Sequence, residues 1–183
     1  MYHSGDRLVD PHLIFEKIHL HPGMHAADFG CGRTGHIVFP LSKIIGDDGI
    51  IYAVDILQDV ILDIQKTAAT HHLHNIHTLW ADIEKKGSVS IPEHSLDVVF
   101  LVNIVWTMSN MFAPLDEAVR LLRDKARIVI VDWKKPGPGF GPSLQQVVDF
   151  ATVGQWAKRH GLVIQEQFDS GPYHHGIILF QQQ

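Results

Sequence analysis

The sequence contains one cysteine, Cys31, in 183 residues. That excludes an intrachain disulfide and suits a reducing compartment such as the cytoplasm. No apolar run approaches the ~18 residues a membrane-spanning helix requires. The start, Met1-Tyr2-His3-Ser4-Gly5-Asp6-Arg7, lacks a charged region followed by an apolar stretch, so no secretory leader is expected. Basic residues are outnumbered by acidic ones, 15 against 20. The resulting formal charge of −5 argues against a dedicated nucleic-acid binder, because phosphate backbones reward a basic face.

What is present is an ordinary globular composition, 45% hydrophobic and 19% charged. The length suits one domain over residues 1–183 with a full core. Extended and helical patterns alternate almost to the end. Asp10-Pro11 reads as an N-cap followed by proline at the first helical position, predicting a helix over 11–19. Apolar strands are predicted at 24–29, 50–55, 76–80, 96–102 and 126–132. Helices are predicted at 36–45, 58–71 and 114–122, the second from Val60, Ile61, Ile64 and Ala68 at 3.6-type spacing. Residues 134–142 hold too much Pro and Gly for regular structure and read as a loop. Ser143 is expected to cap a helix reaching toward His160, interrupted at Gly154. Strands at 162–168 and 175–180 flank Gly171-Pro172, an antiparallel hairpin. Five β–α repeats of this kind predict an α/β, doubly wound, mostly parallel seven-stranded sheet with helices on both faces. Ligands of such sheets bind beyond the carboxyl ends of the strands.

That rim is where the polar residues gather. Asp28, Asp55, Asp82 and Asn103 each follow or end a predicted strand. One such aspartate is ordinarily a turn former or helix cap; four on one rim ask for more. Gly30-x-Gly32-x-x-Gly35 follows the first strand and opens a helix, the context of the dinucleotide fingerprint. Glycines there let backbone approach a ligand closely. Asp55 comes twenty residues after Gly35, at the end of the next strand, where a carboxylate accepts the hydroxyls of an adenosine ribose. Asp28 separates two ligand classes. A carboxylate two residues before the first glycine repels a pyrophosphate but attracts a cation.

These segments resemble the motifs of class I S-adenosylmethionine-dependent methyltransferases. Ala27-Asp28-Phe29-Gly30-Cys31-Gly32-Arg33-Thr34-Gly35 is similar to the family's first motif and Tyr52-Ala53-Val54-Asp55-Ile56 to its second. Ala81-Asp82-Ile83 resembles the third, and Leu96-Asp97-Val98-Val99-Phe100 with Asn103 the fourth. The likeness runs in order from Pro22 to Asp132 and extends to the closing hairpin. It implies that the turn from Asp28 to Gly35, with Phe29, Gly30, Cys31 and Gly32, holds the methionine part of S-adenosylmethionine. It further implies that Asp55 binds the ribose, Ile56 packs on the adenine, Asp82 and Ile83 bind the adenine edge, and Asn103 lines the junction with the acceptor. The family's sheet has an antiparallel seventh strand between strands five and six, which the hairpin would supply. The N-terminal segment and helix, residues 1–20, would cover the cofactor.

Methyl transfer from a sulfonium needs alignment and exclusion of water more than side-chain chemistry, so the catalytic residues stay unknown at this point. Tyr2, Trp106 and Trp133 are candidates to shape an acceptor pocket, although packing explains each one singly. Asn103-Ile104-Val105-Trp106 departs from the Asp/Asn-Pro-Pro-Tyr/Phe signature of many amino methyltransferases, which lowers the odds of adenine, cytosine N4 or glutamine amide acceptors. A small molecule or a protein side chain is the expected acceptor. Loops after the fourth and fifth strands are short, so a homodimer would complete the walls. Two alternatives stay open: an NAD-dependent oxidoreductase, against which none of the three tyrosines begins a Tyr-x-x-x-Lys pair, and a regulatory protein that binds the cofactor without turnover.

Fourteen histidines invite a metal reading. His71, His72, His74 and His77 cluster at a helix end, but zinc sites commonly use cysteines and none is near. They read as a solvated turn, and no metal is expected. Lys134-Lys135 reads as a solvated pair or as steering for an anionic acceptor.

Overall fold

The computed structural model describes residues 8–182. The elements in chain order are α1 Pro11–Ile18, β1 His25–Phe29, α2 Val38–Ile45, β2 Ile50–Asp55, α3 Gln58–Thr70, β3 Ile76–Trp80 and β4 Leu96–Val102. A 3-10 turn at Val105–Thr107 leads to α4 Ala113–Leu121, β5 Leu122–Trp133, α5 Phe150–Arg159, β6 Leu162–Ser170 and β7 His174–Gln181. The strands make one seven-stranded sheet in the order β3-β2-β1-β4-β5-β7-β6. β1 to β5 are parallel, and β7 lies antiparallel between β5 and β6. The doubly wound expectation and the inserted last strand are both found.

Strand periodicity explains the two layers. Ala27, Phe29, Val99, Leu101, Ile128 and Ile130 point to the face covered by α4 and α5. Ala26, Val98, Phe100, Val129 and Val131 point to the face covered by α1, α2 and the Val60–Ile64 side of α3. The central strands are therefore apolar on both sides, as parallel strands between helix layers must be. α1 starts as its sequence suggests: the Asp10 side chain accepts from His12 N at 2.9 Å with Pro11 in the first turn, and His19 ends it in the left-handed region at φ 52°.

Three local readings change. The connection between β3 and β4 carries no helix, so one β–α repeat is missing. Val89 and Ile91 are buried in its place on the α4/α5 face. Fully buried Glu117 of α4 holds this segment by accepting from Gly87 N at 2.8 Å and Val89 N at 3.2 Å, with Arg120 as its counter-ion. Next, β5 begins at Leu122 directly after α4, with an irregularity in its pairing to β4 between Leu96 and Val98. Lastly, the helix expected from Ser143 begins at Phe150. Asp149, whose carboxylate accepts from the N–H groups of Ala151 and Thr152, is its cap, whereas Ser143 closes a turn with Gln146. Gly154 does not interrupt this helix. It is buried, with Ile164 3.0 Å from where a Cβ would sit, and close packing explains the glycine.

Candidate functional site

β1 ends at Phe29, and the chain turns sharply at Gly30 and Gly32, both left-handed at φ 74° and 62°. Gly30 N and Cys31 N both donate to Val54 O, at 2.8 and 3.0 Å, pinning the turn to β2. Asp55, two residues past the β1 partner Ala53, accepts from Gly32 N at 3.1 Å and Leu57 N at 3.0 Å. One carboxylate thus braces the glycine turn and the entry to α3. Gly35, at φ 57°, faces inward: a Cβ there would stand 2.6 Å from Phe39 and 2.9 Å from Ile64. It permits close helix packing rather than ligand approach. Gly32, by contrast, has nothing within 4 Å of a would-be Cβ.

Two cavities meet at Gly30. The first, about 190 Å³, is lined by Asp28, Gly30, Cys31, Gly32, Thr34, His36 and Asn103, among others. The second, about 70 Å³, is lined by Gly30, Asp55, Ile56, Asp82, Ile83, Ile104 and Met108, among others. The fold therefore brings nine of the sequence-derived residues onto two adjoining cavities. Phe29 and Gly35 line neither; Phe29 is fully buried on the α4/α5 face.

The electrostatics of the first cavity turn on Asp28. It is almost fully buried, and burial, with the charge of Asp55 second, pushes its pKa up to about 8. The turn's own cation does not neutralise it: Arg33 is directed at Asp59 and Asp63 of α3. Asn103 is left-handed at φ 56°, and its Oδ1 is buried without a hydrogen-bond partner among the described residues. Burial also pushes the Cys31 thiol upward, with Asp28 and Asp55 adding to the effect, so it stays protonated and is a poor nucleophile.

Asp132 is the residue whose role local sequence reasoning missed. It is fully buried at the end of β5 and accepts from Trp133 N at 2.7 Å and Trp106 N at 3.2 Å. Burial raises its pKa to about 7, although backbone donors from Trp133, Trp106, Val105 and Ile104 pull the other way. The carboxylate organises the loop after β4. That loop sets Ile104 against Gly30, where a Cβ would meet it at 2.6 Å. Trp80 was also overlooked; it is exposed beside the second cavity and donates from Nε1 to Ile56 O at 2.8 Å. An exposed tryptophan ending an edge strand is the signal that marks it.

Of the remaining candidates, Tyr2 lies outside the described residues. Trp133 is buried in a cluster with Phe140, Tyr173 and His174. Trp106 lines a third cleft with Gln146 and with Met108, which that cleft shares with the second cavity. Lys134 pairs with Asp169 at 2.7 Å, which occupies the cation proposed for steering. His71 and His72 lie in the turn after α3, His72 at φ 53°.

The residue set fits S-adenosylmethionine: a buried carboxyl without a counter-ion among the described residues, an open glycine and an Asn103 carbonyl without a partner among them surround the first cavity, and Asp55 lines the adjoining one. Comparison with known proteins agrees. The model of a methyltransferase domain matches residues 20–167. Aklanonic acid methyltransferase DauC of Streptomyces sp. (strain C5) is 31% identical over 121 residues, 64% of this chain and 52% of that protein. The tRNA N(3)-cytidine methyltransferase METTL2 of Danio rerio is 27% identical over 120 residues, 61% of this chain and 33% of that protein. The chain thus spans about half or less of these relatives. A SAM-dependent methyltransferase from Aquifex aeolicus superposes with a TM-score of 0.84 at 24% identity, covering 98% of this chain and 93% of that one. The chain belongs to the methyltransferase-domain family, with the class I fold and S-adenosylmethionine as its cofactor.

Proposed function

We propose that the chain is one methyltransferase domain that methylates a small molecule in the cytoplasm. The observation that carries this reading is the Asp28 carboxyl, buried without a counter-ion among the described residues beside a glycine turn braced by Asp55. Such a pocket favours a cation and disfavours phosphate. When bound, S-adenosylmethionine supplies a methyl group already activated by positive sulfur. Asp28 would hold the ammonium of the methionine part, with Gly30, Cys31 and Gly32 giving backbone approach. Asp55 would accept from the ribose hydroxyls with lone pairs that Gly32 and Leu57 leave free. Ile56 and Ile83 would pack on the adenine, and Asp82 would accept from its amino group. Asn103 would sit between cofactor and acceptor, its left-handed backbone fixed by the Asp132-held loop.

A small-molecule acceptor is favoured by the net charge of −5 and by the 31% identity to an enzyme named for a small acid. The cytoplasmic placement rests on Cys31, a lone thiol that a reducing compartment preserves. No helix among the described residues is long and apolar enough to cross a membrane. A second copy of the chain would add walls to the open rim. The test is transfer of labelled methyl from S-adenosylmethionine across small-molecule, peptide and RNA panels. Labelled small-molecule product supports the proposal; label only in peptide or RNA rejects the acceptor class, and no product in any panel rejects turnover.

A further inference from the structure

The carboxyl rim holds one cavity that the cofactor reading leaves unassigned. This third cleft, about 350 Å³, lies beyond the ends of β4 and β5. One wall is the 3-10 turn and the residues after it, with Trp106, Met108 and Met111. The other is the segment before α5, with Gln145, Gln146 and Val148. Its volume is in the range of small-molecule sites.

One buried carboxyl ties both walls together. Asp132 accepts from Trp106 N at 3.2 Å on one side. On the other it accepts from Trp133 N at 2.7 Å, and Trp133 O accepts from Val148 N at 3.0 Å. The fold itself therefore sets the width of the cleft.

The cleft adjoins the cofactor cavities. Met108 lines both it and the second cavity, which meets the first at Gly30. Ile104, seated on Gly30, begins the turn that leads to Met108: Thr107 N donates to Ile104 O at 3.0 Å and Met108 N to Val105 O at 3.1 Å. Four residues at a rise of about 2 Å put Met108 about 8 Å from Ile104. A substituted ring spans that distance, so a molecule in the cleft can present an atom near Gly30, where the methionine and adenosine parts of the cofactor would join.

The lining specifies the molecule. Among the described residues, none that lines the cleft carries a charge, so an ion taken into it finds no partner. The neighbouring cavity carries Asp55, Asp82 and Glu84, which repel an anion. A cation meets the sulfonium of the cofactor and is repelled by that. The indole of Trp106 and the thioethers of Met108 and Met111 suit an apolar framework. Gln146 adds donors: Ser143 N and Oγ both donate to its Oε1, at 3.1 and 2.8 Å, which leaves its Nε2–H groups for another acceptor.

We propose that this cleft holds the body of the methyl acceptor and selects an uncharged molecule with an apolar framework and a carbonyl-type oxygen. This rests on the methyl-transfer reading.

The test labels the methionine methyl groups of the full chain, so that Met108 and Met111 report separately by NMR, assigned with Met108→Leu and Met111→Leu. Acetophenone, its carbonyl-free analogue ethylbenzene, benzoate and benzylammonium are titrated in turn. Adenosylhomocysteine is expected to move Met108 and not Met111, and acetophenone to move both saturably. Ethylbenzene should bind about tenfold more weakly, the worth of one hydrogen bond, and the two ions should move neither methyl. Ser109→Trp, at an exposed position on the cleft, should abolish both the acetophenone response and methyl transfer to small molecules, while adenosylhomocysteine affinity and melting temperature hold. An ion or ethylbenzene binding as tightly as acetophenone, a Met108 unmoved by adenosylhomocysteine, or undiminished transfer by Ser109→Trp overturns the proposal. If adenosylhomocysteine fails to move the amides of Gly30 and Gly32, the methyl-transfer reading falls. If it moves them and acetophenone leaves Met108 and Met111 unshifted, this inference alone falls.

Discussion

Asp28, next to last in β1, and Asp55, the last residue of β2, flank one glycine turn, yet of the two Asp55 alone is hydrogen-bonded to it. The consequence is a division of labour. Asp55 is an acceptor braced by backbone donors, whereas Asp28 is a buried carboxyl whose pKa, raised to about 8 by burial and then by Asp55, leaves it mostly protonated at neutral pH.

A cation arriving at Asp28 favours the ionised form, so cofactor binding should expel a proton. Adenosylhomocysteine affinity should rise about tenfold per pH unit as pH climbs toward about 8, then level off. Calorimetry at pH 7 in buffers of different ionisation enthalpy should show release of close to one proton. The Asp28→Asn variant should release none and bind weakly at every pH.

The same residue should lower the stability of the ligand-free protein. An acid with a raised folded-state pKa contributes stability that is fully present below the ordinary 3.8 and is lost as pH rises through the folded value. Asp132, raised to about 7, acts in the same sense. Between about pH 4 and 6.5 the His174 pKa, lowered by burial and then by Lys134, works in the opposite sense, so the clear fall in ligand-free melting temperature should come between about pH 6.5 and pH 8. Asp28→Asn should flatten the upper part of that window and melt several degrees higher than the parent at pH 8, measured by calorimetric scans. An unchanged profile would remove Asp28 as a titrating group.

Asp55→Ala should cost adenosylhomocysteine affinity by roughly 1.5–3 kcal/mol, the range for hydrogen bonds to a charged group. The fold should persist, because the lost bonds are two local ones, to Gly32 N and Leu57 N, and the turn keeps its bonds from Gly30 N and Cys31 N to Val54 O. Circular dichroism checks the fold and isothermal titration the affinity. Unaltered affinity would reject the ribose assignment.

The two glycines should behave differently. Gly35→Ala places a Cβ against Phe39 and Ile64 at φ 57°, so it should destabilise the protein by about 1–3 kcal/mol. Gly32→Ala meets open space at φ 62°, so it should cost only about 1–2 kcal/mol of backbone strain but weaken cofactor binding disproportionately. Denaturant titration and ligand titration on the same pair separate the two effects.

The parts of this architecture readable in the sequence are those written in local patterns. Ile50–Asp55 and Leu96–Val102 are continuous apolar runs bounded by turns, and the glycine turn with Asp55 follows from spacing alone. What escaped is written in contacts between distant segments. Glu117 replaces a helix by holding Gly87 and Val89, thirty and twenty-eight residues away. Asp132 arranges the loop that seats Ile104 on Gly30 through backbone donors no pattern announces. The start of α5 was misplaced because Ser143 and Asp149 are both good caps, and Ser143 is used by Gln146 instead.

The central claim is a pocket selective for a phosphate-free adenosine ligand that carries an ammonium, and side-by-side isothermal titration with adenosylhomocysteine and NADH tests it most directly. The account predicts saturable one-to-one binding of adenosylhomocysteine and none of NADH; tighter binding of NADH, or indifference to both, would contradict it.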